Sequence, residues 1–241
     1  MKVALITGGN RGIGLETARQ LGKLGVTILL GARDLAKGKE AAEVLRGLGV
    51  ETYAVKLNVL KRGDHAAVAT WIKEEFGQLD ILINNAAVNL DKGNNHETST
   101  VSQKALKDTF ETNFFAVVEL TQTLLPLLKK SAAGRIVNVS SSQGSLTMLA
   151  EKDSVVYAQK TFAYDASKTA LNSFTIHLAH ELQGTKIKVN AIHPGWVKTD
   201  MGGQNAHLEL ADGAKTSVRL AMLGEDGPSG GYFYLGETIP W

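Results

Sequence analysis

The chemistry of this chain is concentrated first in Tyr164-Asp165-Ala166-Ser167-Lys168, which sets a phenol and an ammonium four residues apart. The surrounding segment, Tyr164–Leu182, reads as helix, and residues i and i+4 share one helix face, so the Lys168 charge can lie near the Tyr164 oxygen. A phenol titrates near pH ~10, and a fixed cation beside it favours the phenolate. Such a pair could donate a proton at neutral pH and take it back. The same spacing also arises in ordinary amphipathic helices, so its meaning depends on what the rest of the chain places around it.

A second group of residues could hold a phosphate. Lys2–Thr7 is a short apolar run that reads as a buried strand; Gly8-Gly9-Asn10-Arg11-Gly12-Ile13-Gly14 follows, then an apolar-periodic helix to Leu24. Glycines let the backbone turn tightly and approach a pyrophosphate, whose charge then sits at the N-terminus of the next helix. The spacing is Gly-x-x-x-Gly-x-Gly rather than the commoner Gly-x-Gly-x-x-Gly, and a glycine turn without a nucleotide is the competing reading.

Positioning these residues takes alternating strands and helices. Strands are expected at Lys2–Thr7, Val26–Ala32, Val50–Leu57, Leu79–Asn84, Arg135–Ser140, Ile187–His193 and Gly230–Tyr234. Between them lie expected helices at Asp34–Leu48, with Asp34 as N-cap, Gly63–Phe76, Val101–Lys130, Tyr164–Leu182 and Leu208–Leu223. Pro126 should bend the final turn of the long one. Short β-branched strands alternating with helices mean βαβ units: a seven-stranded parallel, doubly wound sheet of Rossmann type with helices on both faces. No linker or repeat interrupts residues 1–241, so a single domain is expected.

Ligands of such sheets bind beyond the carboxyl ends of the strands. Read in strand order, those ends carry the glycine loop, Arg33, Asn58-Val59, Asn84-Asn85-Ala86-Ala87, Ser140-Ser141-Ser142 and Pro194-Gly195-Trp196-Val197-Lys198-Thr199. Six separate positions therefore supply small or polar residues where a nucleotide would lie.

Composition removes several classes. A net charge of +2 over 241 residues leaves no footprint for nucleic acid or an anionic membrane. With no Cys, disulfides, thiolate catalysis and Cys-based zinc sites are excluded, which suits a reducing compartment. The first residues are already strand and glycine loop, so no signal peptide is expected, and no apolar run approaches the ~18–20 residues of a membrane span. A soluble cytoplasmic protein is expected, with no metal. His177 and His180 read as surface or half-buried residues, His193 as a packed imidazole, and Asp91–Ser99 as a solvated loop.

Taken together, Thr7-Gly8-x-x-x-Gly12-x-Gly14, Asn84-Asn85-Ala86, Asn113, Ser141, Tyr164-x-x-x-Lys168 and Pro194-Gly195 resemble the short-chain dehydrogenase/reductase family, of the single-domain type. The turn Gly9-Asn10-Arg11, Ala32-Arg33-Asp34 and the ending from Gly227 to Trp241 are similar to its carbonyl-reductase branch. The resemblance implies an NADPH-dependent enzyme that reduces an aldehyde or ketone to an alcohol by hydride transfer. Tyr164 would be the general acid, Lys168 would lower its pKa and hold the nicotinamide ribose, and Ser141 would bind the carbonyl oxygen. Asn113 would hold a water that relays protons to Lys168. Gly8, Asn10, Arg11, Gly12, Ile13, Gly14, Arg33, Asn58, Val59, Asn85, Ala86, Pro194, Gly195, Val197 and Thr199 would contact the cofactor with Tyr164 and Lys168, and Trp196 would join Ser141 and Tyr164 at the substrate.

Charge argues for NADPH over NADH. The family's acidic residue after strand two would fall at position 32, which is Ala; Arg33 and Arg11 can instead pair with the 2′-phosphate. Asn58 stands where the family usually has Asp at the adenine edge, and Ala87 where Gly is common. The segment Ser145–Thr161, longer than in the family's oligomers, could lie across the helices used in tetramers, so a monomer is expected. A non-enzymatic NADP(H)-binding sensor on the same fold is the alternative; the intact Asn–Ser–Tyr–Lys set speaks against it. An extended nucleotide-sugar epimerase would need more chain after Val197 than is present.

Overall fold

The computed structural model describes residues 2–91 and 97–241. Five strands alternate with helices up to the reacting segment: β1 (Lys2–Thr7), α1 (Gly12–Lys23), β2 (Val26–Ala32), α2 (Leu35–Gly47), β3 (Thr52–Lys56), α3 (Arg62–Glu75), β4 (Ile81–Asn84), α4 (Gln103–Phe110), α5 (Ala116–Leu128) and β5 (Arg135–Val139). After it come α6 (Leu146–Ala150), α7 (Phe162–Glu181), β6 (Lys188–Ile192), α8 (Leu210–Ala221), β7 (Tyr232–Tyr234) and β8 (Glu237–Thr238). All strands join one sheet in the order β3-β2-β1-β4-β5-β6-β7-β8. Strand order reverses between β1 and β4, which opens a crevice at their carboxyl ends.

Alternation along each strand builds two cores. Val3 and Leu5 of β1 join Leu29, Leu82 and Ile136 under α3, α5 and α7. Ala4 and Ile6 face the other way, with Ile28, Leu30, Ile83 and Val137 under α1, α2 and α8. Successive strand residues point to opposite faces, so a strand covered on both sides must be apolar throughout. β2 obeys this along its whole length, with all seven residues buried.

Four expectations need correction. Among the described residues the sheet has eight strands, not seven, and its last pair is antiparallel: Phe233 faces Thr238 and Tyr234 faces Glu237. The reversal is made at Leu235 (φ 50°) and Gly236 (φ 137°), left-handed conformations that no hydrophobic pattern signals. The single helix expected over Val101–Lys130 is two, joined by a π-helical turn at Glu111–Phe115. Pro126 lies inside α5, which continues to Leu128. The catalytic helix begins at Phe162, two residues before Tyr164. Asp34 caps α2 as expected, its Oδ1 accepting from the amides of Ala36 (3.0 Å) and Lys37 (3.3 Å).

Candidate active site

The glycine turn has the features of a phosphate cradle. Gly8 and Gly12 take positive φ, 60° and 56°. A Cβ on Gly14 would lie 2.6 Å from Asn85 Nδ2 and 2.7 Å from the Gly8 carbonyl, so only glycine fits. Arg11 stands at the N-cap of α1 without capping it, which leaves the first-turn amides of Gly12, Ile13 and Gly14 without a side-chain acceptor. Such amides, with the helix dipole behind them, suit a pyrophosphate. The residues present therefore fit a dinucleotide.

The β4 end is tied to this turn. Thr7 Oγ1 accepts from the amides of Asn85 and Ala86, both at 2.9 Å, and Asn85 Nδ2 donates to the Thr7 carbonyl at 2.9 Å. Asn84 instead points into the sheet, donating to Thr121 Oγ1 and Asn138 Oδ1. At the β2 end Arg33 is exposed beside buried Ala32. Lys56, paired with Ala32 in register, donates to the Arg33 carbonyl at 2.6 Å and adds a second cation there. Asn58 Oδ1 accepts from the Leu60 amide at 3.1 Å, and the Val59 carbonyl lies 2.8 Å from His65 Nε2. Arg11 pairs with Asp200 at 2.5 Å across the mouth of the crevice.

Beyond β6 the chain closes on itself. Gly195 has φ 86°, and a Cβ there would meet Leu208 at 2.2 Å. Val197 bridges Leu208, Trp196 Nε1 donates to the Gly202 carbonyl at 2.9 Å, and Thr199 Oγ1 accepts from the Gly202 amide at 2.9 Å. Thr199 sits over Gly12, 3.7 Å from where a Cβ would be. Pro194 precedes this turn, and Trp196 remains 41 % exposed, its ring edge-on to His207 at 6.0 Å.

The β5 end and α7 bring Ser141, Tyr164 and Lys168 together. Ser141 Oγ accepts from the Gln143 amide at 3.2 Å and keeps its proton to donate. Beside it, Ser140 Oγ lies 3.5 Å from the Lys168 carbonyl, and the Ser142 backbone amide donates to His193 Nδ1 at 3.1 Å. Tyr164 is buried, and burial pushes it up to about 12, the hydrogen bond from Ser141 acting downward and the Asp165 charge upward. Burial pushes Lys168 down to about 7. Its Nζ donates to the Val139 carbonyl at 2.8 Å and lies 5.6 Å from the Tyr164 ring centre.

Loss of water is the largest cause at both groups and acts against the charged form of each, raising Tyr164 and lowering Lys168, and no pull of Lys168 on the phenol is resolved beside it. A phenol that keeps its proton at pH 7 is in the state in which it can act as an acid.

Asn113 is fully buried on the π-helical turn, a feature that directs one extra residue inward. Its Nδ2 donates to the Val88 carbonyl (2.8 Å) and to Ser167 Oγ (3.0 Å), and its Oδ1 accepts from the Val88 amide (2.8 Å). It does not touch Lys168 directly. His193 is half-buried, enclosed against Tyr234, and burial pushes it down to about 4, so it is a neutral packed imidazole.

Sequence reasoning missed four residues here. Lys56 needs the strand register, and Asp200 needs the loop path. Tyr232, fully buried, donates from its hydroxyl to the Ser141 carbonyl, with Trp241 stacked on its ring at 5.1 Å. Asp91 was read as solvated yet is 5 % exposed, its Oδ2 accepting from the Ala163 amide. Of the expected loop Asp91–Ser99, residues 92–96, with His96, lie outside the described residues. The segment Ser145–Thr161 folds toward the Ser141 turn, where Gln143 Nε2 donates to the carbonyl of Gln159 and the Thr147 amide donates to the Trp241 carbonyl at 3.0 Å. The α4–α7 face that it was expected to cover holds an open cavity of about 350 Å³ lined by Leu106, Phe110, Phe115 and Phe162.

Comparison with known proteins agrees with this geometry. The family model for short chain dehydrogenase matches residues 2–209. Short-chain dehydrogenase/reductase 1 of Saponaria officinalis is 34 % identical, covering 100 % of this chain and 96 % of that protein. Carbonyl reductase [NADPH] 1 of Bos taurus is 31 % identical over 99 % of this chain and 98 % of its own. The crystal structure of NADPH-bound carbonyl reductase from chicken fatty liver superposes with a TM-score of 0.85 at 27 % identity, covering 100 % of both chains. This chain belongs to the short-chain dehydrogenase/reductase family of oxidoreductases.

Proposed function

We propose that this protein is an NADPH-dependent carbonyl reductase, converting a small-molecule aldehyde or ketone to the alcohol. The observation that carries the reading is the convergence of Ser141, Tyr164 and Lys168 at the carboxyl end of the sheet, beside an uncapped glycine-rich helix start. NADPH/NADP+ is the cofactor. The names of the bovine and chicken relatives support it, as do Arg33 and Lys56 where an acidic residue would select NADH.

The cofactor, when bound, supplies the hydride that goes to the carbonyl carbon. The amides of Gly12, Ile13 and Gly14 would hold the pyrophosphate, Arg33 and Arg11 with Lys56 the 2′-phosphate, and Asn85, Ala86, Pro194, Gly195, Val197 and Thr199 would contact the rest of the cofactor. Ser141 donates to the substrate oxygen and stabilises the charge that develops there. Tyr164 transfers its phenolic proton to that oxygen, and in the reverse direction takes it back. Lys168 would hold the nicotinamide ribose. Asn113 has both amide protons engaged but one lone pair of Oδ1 left, an acceptor for the water that would relay protons toward Lys168. Trp196 forms the exposed wall against the substrate.

A panel of aldehydes and ketones, followed by loss of reduced-nicotinamide absorbance, tests the reading; no consumption with any carbonyl would refute it. Among the described residues no helix is long and apolar enough to cross a membrane. Cytoplasmic residence is proposed from the absence of Cys. We keep a monomer as the expected state; the open α4–α7 cavity is the observation that favours self-association, and light scattering separates the two.

A further inference from the structure

The loop after β4 is gripped twice on its way past the site. Asn113 holds it at Val88 through two hydrogen bonds of 2.8 Å. Asp91 holds it three residues later, Oδ2 accepting from the Ala163 amide at 2.7 Å. Ala163 is the second residue of α7, and amides of a first turn have no carbonyl partner inside the helix. Thr161, the N-cap residue, provides no side-chain cap. A carboxylate from another loop therefore fills the capping role, with its charge at the positive end of the helix dipole.

A cap needed only for stability could come from position 161 itself. Thr161 instead donates its amide and hydroxyl to Asp165, at 3.1 and 3.0 Å. Among the described residues Asp91 Oδ1 is buried with no hydrogen-bond partner, an arrangement that costs free energy. A buried carboxylate held at such a cost calls for an explanation, and its place in the fold supplies one. The residue that Asp91 holds is the immediate neighbour of Tyr164. On the far side of Tyr164, Ser167 Oγ donates to the Tyr164 carbonyl at 2.7 Å while Asn113 Nδ2 donates to Ser167 Oγ.

We propose that Asp91 is a positioning residue for the reduction: by capping α7 through the Ala163 amide, it fixes where the Tyr164 hydroxyl meets the substrate oxygen. The inference rests on Tyr164 as the proton donor and adds a residue that acts on it only through the backbone. Misplacement of a reacting group by ~1 Å costs on the order of 10²-fold in rate. The Asp91 contact therefore has its effect on turnover rather than on cofactor binding.

The test compares Asp91→Ala, Asp91→Asn and Asp91→Glu with the wild-type protein, measuring kcat, KM for a carbonyl substrate, and NADPH Kd by nucleotide fluorescence. Asp91→Ala should lower kcat about tenfold or more, with KM changed less than kcat and NADPH Kd within about twofold. Asp91→Asn, which retains an acceptor for the Ala163 amide, should recover most of the turnover. Unchanged kcat in the Ala variant, a parallel fall of kcat and NADPH affinity, or an Asn variant no better than Ala overturns the proposal. Should Asp91→Ala not fold, Asp91→Glu keeps the charge and displaces the carboxylate by one methylene: reduced kcat at constant NADPH Kd supports the proposal, and wild-type kcat overturns it. Failure of the underlying reading is seen separately, as a wild-type protein that consumes no NADPH with any carbonyl or as full turnover in Tyr164→Phe, and either result removes the proposal with it.

Discussion

Replacing Lys168 with Met should stabilise the cofactor-free protein by an amount that shrinks as pH rises. Lys168 is 2 % exposed, and burial lowers its pKa from 10.5 to about 7. Between those values the unfolded chain holds a proton that the folded protein has released, so wild-type stability rises with pH across the window and is lowest below pH 7. Each pH unit of the window is worth ~1.4 kcal/mol. Met carries no such penalty, whereas loss of the bond to Val139 costs the same at every pH. The difference in stability between variant and wild type should therefore fall by about 4 kcal/mol from pH 6 to pH 10. Urea unfolding of both proteins at the two pH values measures it. A difference that moves by less than ~1 kcal/mol would show that Lys168 does not titrate from a desolvated site, and the argument from burial would be wrong.

Two further perturbations probe the cofactor's 2′-phosphate. Replacing Arg33 and Arg11 with Ala should weaken NADPH by ~1.5–3 kcal/mol for each charge-assisted hydrogen bond removed, with far less effect on NADH; titration of both nucleotides checks it, and equal weakening would refute the assignment. Asp200→Ala should free Arg11 from its exposed partner, changing stability by no more than ~1 kcal/mol. It should tighten NADPH at low salt, a gain that fades as ionic strength rises; an unchanged Kd at low salt would mean that Arg11 does not reach the phosphate.

The parallel sheet was legible because strands covered on both faces must be apolar, and β1, β2, β4 and β5 stand out as short runs between glycines and polar turns. The seventh strand was read and the eighth was not: Glu237–Thr238 is two residues long and exists only because Leu235 and Gly236 reverse the chain. The π-helical turn was invisible because the apolar pattern runs through it without a break. Of the site residues named by local spacing, Gly12 opens α1 after β1, Ser141 follows β5, and Tyr164 sits in the first turn of α7. Those that depend on tertiary packing were missed, and Asp91 shows why: whether a carboxylate is solvated or buried against a helix end is set by a partner 72 residues away. The burial that raises Tyr164 was hidden for the same reason, since the loss of water at a phenol is a property of the packed protein rather than of its sequence.

The most direct test of the account is turnover by Tyr164→Phe, measured with the best carbonyl of the panel alongside NADPH binding by fluorescence. Only the phenolic oxygen and its proton are removed, so NADPH Kd should stay close to that of the wild type while kcat collapses. A variant that keeps more than about a tenth of wild-type kcat has lost under ~1.4 kcal/mol of transition-state stabilisation and would contradict Tyr164 as the proton donor.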